Sequence, residues 1–155
     1  EAKDDARRGF DLGTFVPLCR VYPYADSPTV QLSLKAGLDP AEHLAIGRAL
    51  APLRDEGVLL IGSGMSYHNM KGFKSPGASE VAEAFDDWLE TSMKPADRNA
   101  ALLAWSKAPR AREAHPREEH LLPLMVAAGA AGDDEAAIAW RGTVGGKRVS
   151  AVHFG

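Results

Sequence analysis

The sequence feature that most constrains the fold is a short apolar run that leads directly into a glycine-rich loop. Val58-Leu59-Leu60-Ile61 is continuously apolar, which is the pattern of a β-strand buried on both faces. The loop that follows begins Gly62-Ser63-Gly64. In open α/β sheets, ligands bind beyond the carboxyl ends of such strands. The run therefore predicts an internal strand of an α/β fold, and the loop after it is a candidate functional site.

The segments around this run alternate between strand and helix patterns. Residues 29–34 alternate polar and apolar side chains and are predicted as a strand. Asp39 and Pro40 predict a helix start, because aspartate caps free N–H groups and proline suits the first helical position. Further helices are predicted around residues 81–89, 97–105 and 118–128, and a final strand at 147–154, with a hairpin turn at Gly145-Gly146. This order is typical of an α/β layered fold, taken here as one domain over residues 1–155.

Composition excludes several classes of partner. The net charge of −3 and the lack of a basic stripe argue against nucleic acid. No apolar run approaches the roughly 18 residues that a membrane span needs. The single cysteine, Cys19, cannot form an internal disulfide; it is expected to be a small buried thiol. The charged first residues do not match a signal peptide, so the sequence predicts a reducing, cytoplasmic location.

Two clusters of polar residues could carry chemistry. The first is the loop from Gly62 to Asn69, in which His68 is the one side chain that titrates near neutral pH. It is neither a nucleophile elbow nor a phosphate loop, and a turn with a structural histidine remains the alternative. The second runs from His115 to His120 and contains two imidazoles and two carboxylates. Its spacing is not that of a zinc protease, and a helix start with acidic first-turn residues is its alternative.

The other histidines and a third short motif indicate little by themselves. Asp11-Leu12-Gly13 predicts a turn. His43 lies on the first turn of a helix with a charged face and is expected to be solvated. His153 alternates within the last strand and could face either way.

Together, these motifs resemble one known family in identity and order. Residues 30–34, Asp39-Pro40, the loop from Gly62 to Asn69 and the segment His115-Pro116 to Pro123-Leu124 occur in this order in the class III extradiol aromatic ring-opening dioxygenases. The chain is most similar to the LigB-type, 4,5-DOPA dioxygenase-like branch. The resemblance covers nearly the whole chain and identifies it as the carboxy-terminal part of such a domain.

The resemblance implies a fold, a cofactor and roles for particular residues. The implied fold has three α/β/α layers around a mixed central sheet. The implied cofactor is non-haem Fe(II) or Zn(II), which takes part in opening a catechol-type substrate with O₂. His68 matches the acid/base residue, His120 matches a metal ligand, and Glu119 is the alternative or additional ligand. Residues assigned to substrate binding are Ser63, Asn69 and His115.

The sequence departs from the family pattern in two places. Family members carry further metal-binding histidines in an amino-terminal part that precedes the residues matched here. They also usually read Asp-His-Gly where this chain reads Asp11-Leu12-Gly13, and leucine can neither donate nor accept a hydrogen bond. Two hypotheses therefore stay open. One is an extradiol dioxygenase seen as an incomplete chain; the other is a degenerate member that acts as a binding or partner subunit, with a homo-oligomer compatible with either.

Overall fold

The computed structural model describes residue 3 and residues 5–155, which form two compact units. One unit ends at Ser33, and the other comprises Leu34–Gly155. The smaller unit contains helix α1 (Leu12–Val21), which begins where the Asp11 side chain accepts a hydrogen bond from the Thr14 N–H (3.2 Å). No residue of α1 is buried, and Cys19 is exposed. The expectation of a buried thiol is therefore wrong, because apolar neighbours in sequence do not by themselves supply a packed core.

The larger unit is mostly helical and ends in a β-hairpin. Its elements in chain order are α2 (Pro40–Leu50), α3 (Pro52–Asp55), α4 (Ala78–Ser92), α5 (Pro95–Leu103), α6 (Ala111–Ala114), α7 (Leu122–Ala131), β1 (Ala136–Val144) and β2 (Lys147–Phe154). The predicted start of α2 is confirmed, since the Asp39 carboxylate accepts from the Ala41 and Glu42 N–H groups. Within the described residues, no helix is long and apolar enough to cross a membrane.

The two strands pair antiparallel, as the predicted hairpin requires. Ala136 lies opposite Phe154 and Val144 opposite Lys147. Gly145 and Gly146 both have positive φ, at +53° and +79°, which is the backbone of the tight turns that suit two-residue hairpins. Helices and a small sheet are thus both present, as an α/β fold requires. The expected three layers and mixed central sheet are not observed, because the strand pairing among the described residues is this one antiparallel ladder.

The predicted strands at 29–34 and at Val58–Ile61 do not form. Neither segment has strand pairing, and Leu59 and Ile61 expose 69% and 55% of their surface. A strand is defined by hydrogen bonds to a neighbour, and residues 59–62 make none to any other residue that the structure describes. The prediction of an internal strand buried on both faces is therefore wrong for the residues that the structure describes.

The core consists of buried side chains of α4 and α7 and of the side chains that pack against these two helices. Buried members include Val81, Phe85, Leu89, Leu122 and Met125. Helices α2 and α7 cross at very close range, where an added Cβ at Gly47 would lie 2.1 Å from the carbonyl oxygen of Val126 and one at Gly129 2.2 Å from that of Leu44. This crossing packs α7 against α2, and the turn just before α7 carries part of the candidate site.

His43 belongs to this core instead of to the solvated surface. Its side chain is fully buried; Nδ1 lies 2.6 Å from the Asp39 carbonyl oxygen and Nε2 accepts from the Lys35 N–H (3.2 Å). One neutral tautomer satisfies both contacts, with the proton on Nδ1. The prediction of a solvated His43 is wrong, because an imidazole with both nitrogens bonded can be buried on a helix of mixed polarity.

Candidate functional site

The glycine-rich loop lies directly on the start of α7. The Met65 N–H donates to the carbonyl oxygen of His120 (2.9 Å). An added Cβ at Gly64 would approach that oxygen to 2.3 Å, and one at Gly62 would lie 2.6 Å from the Pro123 carbonyl oxygen. Glycine at these two positions therefore lets the loop backbone reach the helix, which brings the two sequence clusters together.

Further hydrogen bonds hold the His68 end of the loop. The His68 N–H donates to the Ala114 carbonyl (3.0 Å), and the Asn69 side-chain amide donates to the Glu113 carbonyl (2.8 Å). The amide oxygen of Asn69 accepts from the Gly72 N–H (2.8 Å). The first two bonds connect residues far apart in sequence, and together the three fix the backbone that carries the His68 imidazole.

The imidazoles of His68 and His120 stack on each other. Their ring centroids are 3.4 Å apart and their planes differ by 16°. His68 and His120, which the family resemblance assigns to one catalytic site, therefore lie in direct contact. A ring nitrogen binds a metal ion along its lone pair, which lies in the ring plane. Two nearly parallel rings at this separation do not aim their lone pairs at one common ion, so the stacked pair favours different roles for the two histidines.

Glu119 completes a group of three potential ligands with these histidines. One donor atom each from His68, Glu119 and His120 lies within 4.8 Å of the others. Glu119 Oε2 and His120 Nδ1 are buried and make no hydrogen bond, although Arg117 Nε lies 3.4 Å from that carboxylate oxygen. Buried polar atoms without a partner are rare in folded proteins and often mark the place of an ion or water. Imidazole and carboxylate are ligands that suit non-haem iron or catalytic zinc, and Glu119 and His120 supply one of each.

Electrostatics keep His68 neutral. Burial lowers the pKa of His68 below its ordinary value of 6.5, and the neighbouring His120 lowers it further, while Glu119 opposes both effects. At neutral pH the imidazole is therefore in the form that can accept a proton.

His115 is a core residue beside the loop. It has no exposed surface, its Nε2 lies 3.0 Å from the Ser66 carbonyl oxygen, and its ring packs edge-on against Phe85 and Trp105. Burial lowers its pKa to about 4, so Nε2–H donates to Ser66 and Nδ1 stays unprotonated. A contact with substrate would require this side chain to move, and its predicted role in substrate binding stays a prediction.

The structure also identifies residues that the sequence did not single out. Ser66 is buried, and its hydroxyl oxygen accepts from the Ser150 N–H (2.9 Å), which connects the loop to β2. A loop serine carries no sequence signal for such a contact. Arg117 could have been found from its position two residues before Glu119. Of the predicted substrate-binding residues, Ser63 lies on the exposed part of the loop, whereas both ends of the Asn69 amide are used to hold it.

Several known proteins are similar to this chain in sequence. Residues 1–150 match the family described as the catalytic LigB subunit of aromatic ring-opening dioxygenase. The chain is 47% identical over 135 residues to a protein of Beta vulgaris named 4,5-DOPA dioxygenase extradiol, a match over 86% of this chain and 50% of that protein. It is 35% identical over 128 residues to a protein of the same name from Escherichia coli, over 79% of this chain and 47% of that one.

One solved structure has the same fold over nearly all of the chain. It is an uncharacterized protein, JW3007 from Escherichia coli, with a TM-score of 0.84 and 32% identity. The match covers 98% of this chain and 65% of the JW3007 chain. The chain thus spans about half the length of the curated relatives it matches and two thirds of this solved structure.

Proposed function

The chain belongs to the family of the catalytic LigB subunit of aromatic ring-opening dioxygenases, and on that premise we propose that it carries part of an extradiol ring-cleavage site. The proposed reaction opens a catechol-type ring beside one hydroxyl, with O₂ as the co-substrate. The names of its relatives, 4,5-DOPA dioxygenase extradiol, support this substrate class. The observation that carries the proposal is the grouping of His68, Glu119 and His120 within 4.8 Å. A cytoplasmic location, suggested by the single cysteine, belongs to the same proposal.

A non-haem divalent ion, Fe(II) or Zn(II), fits the donor atoms of this group. Glu119 Oε2 and His120 Nδ1 are buried without a hydrogen bond, and such atoms cost free energy unless something binds them. These two residues would hold the ion. When bound, it supplies Lewis acidity that lowers the pKa of a coordinated hydroxyl. Since catalytic ions normally take three protein ligands, we expect at least one more ligand from the amino-terminal part of the domain.

His68 is proposed as the acid/base residue. Its stacking on His120 leaves it poorly oriented to share an ion with that residue. Its lowered pKa favours the neutral imidazole at pH 7, which can accept a proton from a catechol hydroxyl. Ser63, Asn69 and His115 remain the proposed residues for substrate binding. Ser63 could do so directly, while Asn69 and His115 would act by keeping the loop in shape.

A degenerate family member that acts as a binding or partner subunit is the second candidate. The observation in its favour is Leu12, which stands where the family usually has histidine. Leu12 is the first residue of α1 and exposes 77% of its surface, so this side chain supplies no hydrogen bond to any substrate.

The two candidates differ in measurable turnover. Three proteins would be compared for metal content and ring-cleavage absorbance with a catechol: this 155-residue chain, the chain completed with the amino-terminal part of a relative, and the completed chain with Leu12→His. We expect weak metal binding and no turnover for the first, stoichiometric metal for the second and higher turnover for the third. Stoichiometric metal without turnover in both completed proteins would favour the degenerate member, and full activity of the 155-residue chain alone would contradict the proposed incomplete site.

A further inference from the structure

The segment that leads into the candidate site carries three arginines, of which two are fully engaged with glutamates. Arg110 donates to both carboxylate oxygens of Glu113, and Arg112 Nη1 donates to Glu118 (2.9 Å). Arg117 is the third, and its side chain makes no hydrogen bond to any residue that the structure describes. The guanidinium of Arg117 therefore has donors that the fold does not use.

Arg117 forms a loose ion pair with Glu119. Its Nε lies 3.4 Å from Glu119 Oε2, which is longer than the roughly 2.7–2.9 Å of a charge-assisted hydrogen bond. The Arg117 side chain is 70% exposed, and ion pairs of exposed side chains contribute little to stability. Arg117 can therefore leave Glu119 for another anion without loss of the fold.

The position of Arg117 places this guanidinium at the edge of the candidate site. Glu119 belongs, with His68 and His120, to the group whose donor atoms lie within 4.8 Å of one another. Arg117 contacts Glu119 directly, so one side chain separates its guanidinium from the two imidazoles. A ligand that occupies the open side of this group is within reach of a long and exposed arginine side chain.

Charge balance indicates what Arg117 binds. In the proposed site Glu119 is a metal ligand, and its negative charge is then shared with a divalent cation that repels the guanidinium. Among the described residues, Glu119 is the single acidic residue that forms an ion pair with Arg117. An anionic group on the ligand would replace it, and the planar fork of guanidinium donors matches such a group.

On the basis of the proposed function, we propose that Arg117 binds an anionic oxygen of the substrate. Two kinds of oxygen have this chemistry. One is a carboxylate on a substituent of the ring, and the other is a ring hydroxyl that has lost its proton to His68. In either case Arg117 is a substrate-binding residue of the same site and selects for negative charge on the bound molecule.

Equilibrium binding without O₂ tests this proposal, because the ring then stays closed. The protein is the completed chain loaded with Zn(II), and the probes are catechol and 3,4-dihydroxybenzoate, which adds a carboxylate. We expect Arg117→Gln to weaken binding of 3,4-dihydroxybenzoate about tenfold or more, because a charge-assisted hydrogen bond is lost. A similar loss for catechol would identify the deprotonated hydroxyl as the bound oxygen, and an unchanged affinity for catechol would identify the carboxylate.

Two further variants separate a specific contact from a general change in charge. Arg117→Lys keeps the charge without the planar pair of donors, so it should retain part of the affinity. Arg110→Gln removes the same charge from an exposed arginine whose partner, Glu113, lies outside the ligand group, and its affinity should stay within about twofold of the wild type. The difference between the wild type and Arg117→Gln should also narrow as salt is added, because screening weakens exposed charge pairs.

Three results would overturn the proposal. One is an unchanged affinity of Arg117→Gln for both probes. Another is an equal loss of affinity in Arg110→Gln, which would show that net charge alone attracts the probes. The last is failure of a folded wild-type protein to bind either probe. Turnover is measured separately, so a protein that binds the probes through Arg117 but never opens the ring would contradict the proposed function alone.

Discussion

At the scale of single residues, His115 couples the stability of the chain to pH. Burial lowers its pKa to about 4 from an ordinary value of 6.5, partly opposed by its hydrogen bond to Ser66. Between pH 6.5 and pH 4, His115 therefore binds a proton in the unfolded chain but not in the folded chain. We expect the contribution of His115 to the free energy of unfolding to fall between pH 6.5 and pH 4, by about 3 kcal/mol in total, and to be constant above this window.

Urea unfolding at pH 7.5 and pH 5 measures this effect. His115→Gln keeps a donor for the Ser66 carbonyl but cannot be protonated, so its stability should depend less on pH than that of the wild type. His153→Gln, the same substitution at an exposed histidine, serves as the control. An unchanged slope in His115→Gln would show that this residue is not held neutral by folding.

Sequence motifs predicted which residues meet but not how each one is buried. The family resemblance assigned His68 and His120 to one site from two separate motifs, and their rings are stacked. The environments of His43 and Cys19 were predicted wrongly, because burial depends on what the rest of the fold places beside a residue. His43 finds hydrogen-bond partners at Lys35 and Asp39, which the polarity of its helix does not reveal.

Among the helices, α2 and α7 cross closely in the carboxyl half of α7, and this contact anchors the helix that follows the site. An added Cβ at Gly47 or Gly129 would lie 2.1 or 2.2 Å from a backbone oxygen of the other helix. Gly47→Ala and Gly129→Ala should each lower the free energy of unfolding by about 1–3 kcal/mol, although alanine is the better helix former. Gly37→Ala, where the nearest atom would be 3.9 Å away, is the control and should stay within about 0.5 kcal/mol. Equal stability of all three variants in thermal unfolding would contradict this close crossing.

The carboxyl end of α7 depends on a buried arginine. Arg98 is fully buried and donates to the carbonyl oxygens of Gly132 (2.5 Å) and Asp134 (2.9 Å). A cation there also complements the helix dipole. Arg98→Lys should lower the free energy of unfolding by about 1.5–3 kcal/mol, because one ammonium group cannot reproduce the two-armed contact. Chemical denaturation measures this, with the exposed Arg20→Lys as control; a neutral Arg98→Lys would mean that the two contacts contribute little.

Elements were predictable where the signal is local and unpredictable where it is not. The start of α2 at Asp39 and Pro40 and the turn at Gly145-Gly146 depend on neighbouring residues, and both predictions are confirmed. The strand predicted at Val58–Ile61 requires a partner strand, which the described residues do not provide. The apolar pattern is a local signal of burial, whereas the neighbour that completes a strand is not encoded in the run itself.

In the whole molecule, a helical core is combined with a group of potential metal ligands whose side chains are partly exposed. The loop and the start of α7 bring His68, Glu119 and His120 together without help from other chains. The α/β character was predicted from the order of elements, but the three layers and the mixed sheet were implied by the family resemblance. The chain covers about half of its curated relatives, so the remaining layers and ligands are proposed to come from the other half.

In the proposed site, His120 and Glu119 bind the metal ion while His68 transfers protons. The most direct test is the affinity for Co(II), followed by its visible absorbance, in the completed protein and its variants. We expect His120→Ala to weaken binding about tenfold or more, because a ligand is lost, and His68→Ala to leave the affinity nearly unchanged while abolishing turnover. An equal loss of affinity in His68→Ala would contradict the account, because it would mean that both imidazoles bind the ion and that their stacking is not the working arrangement.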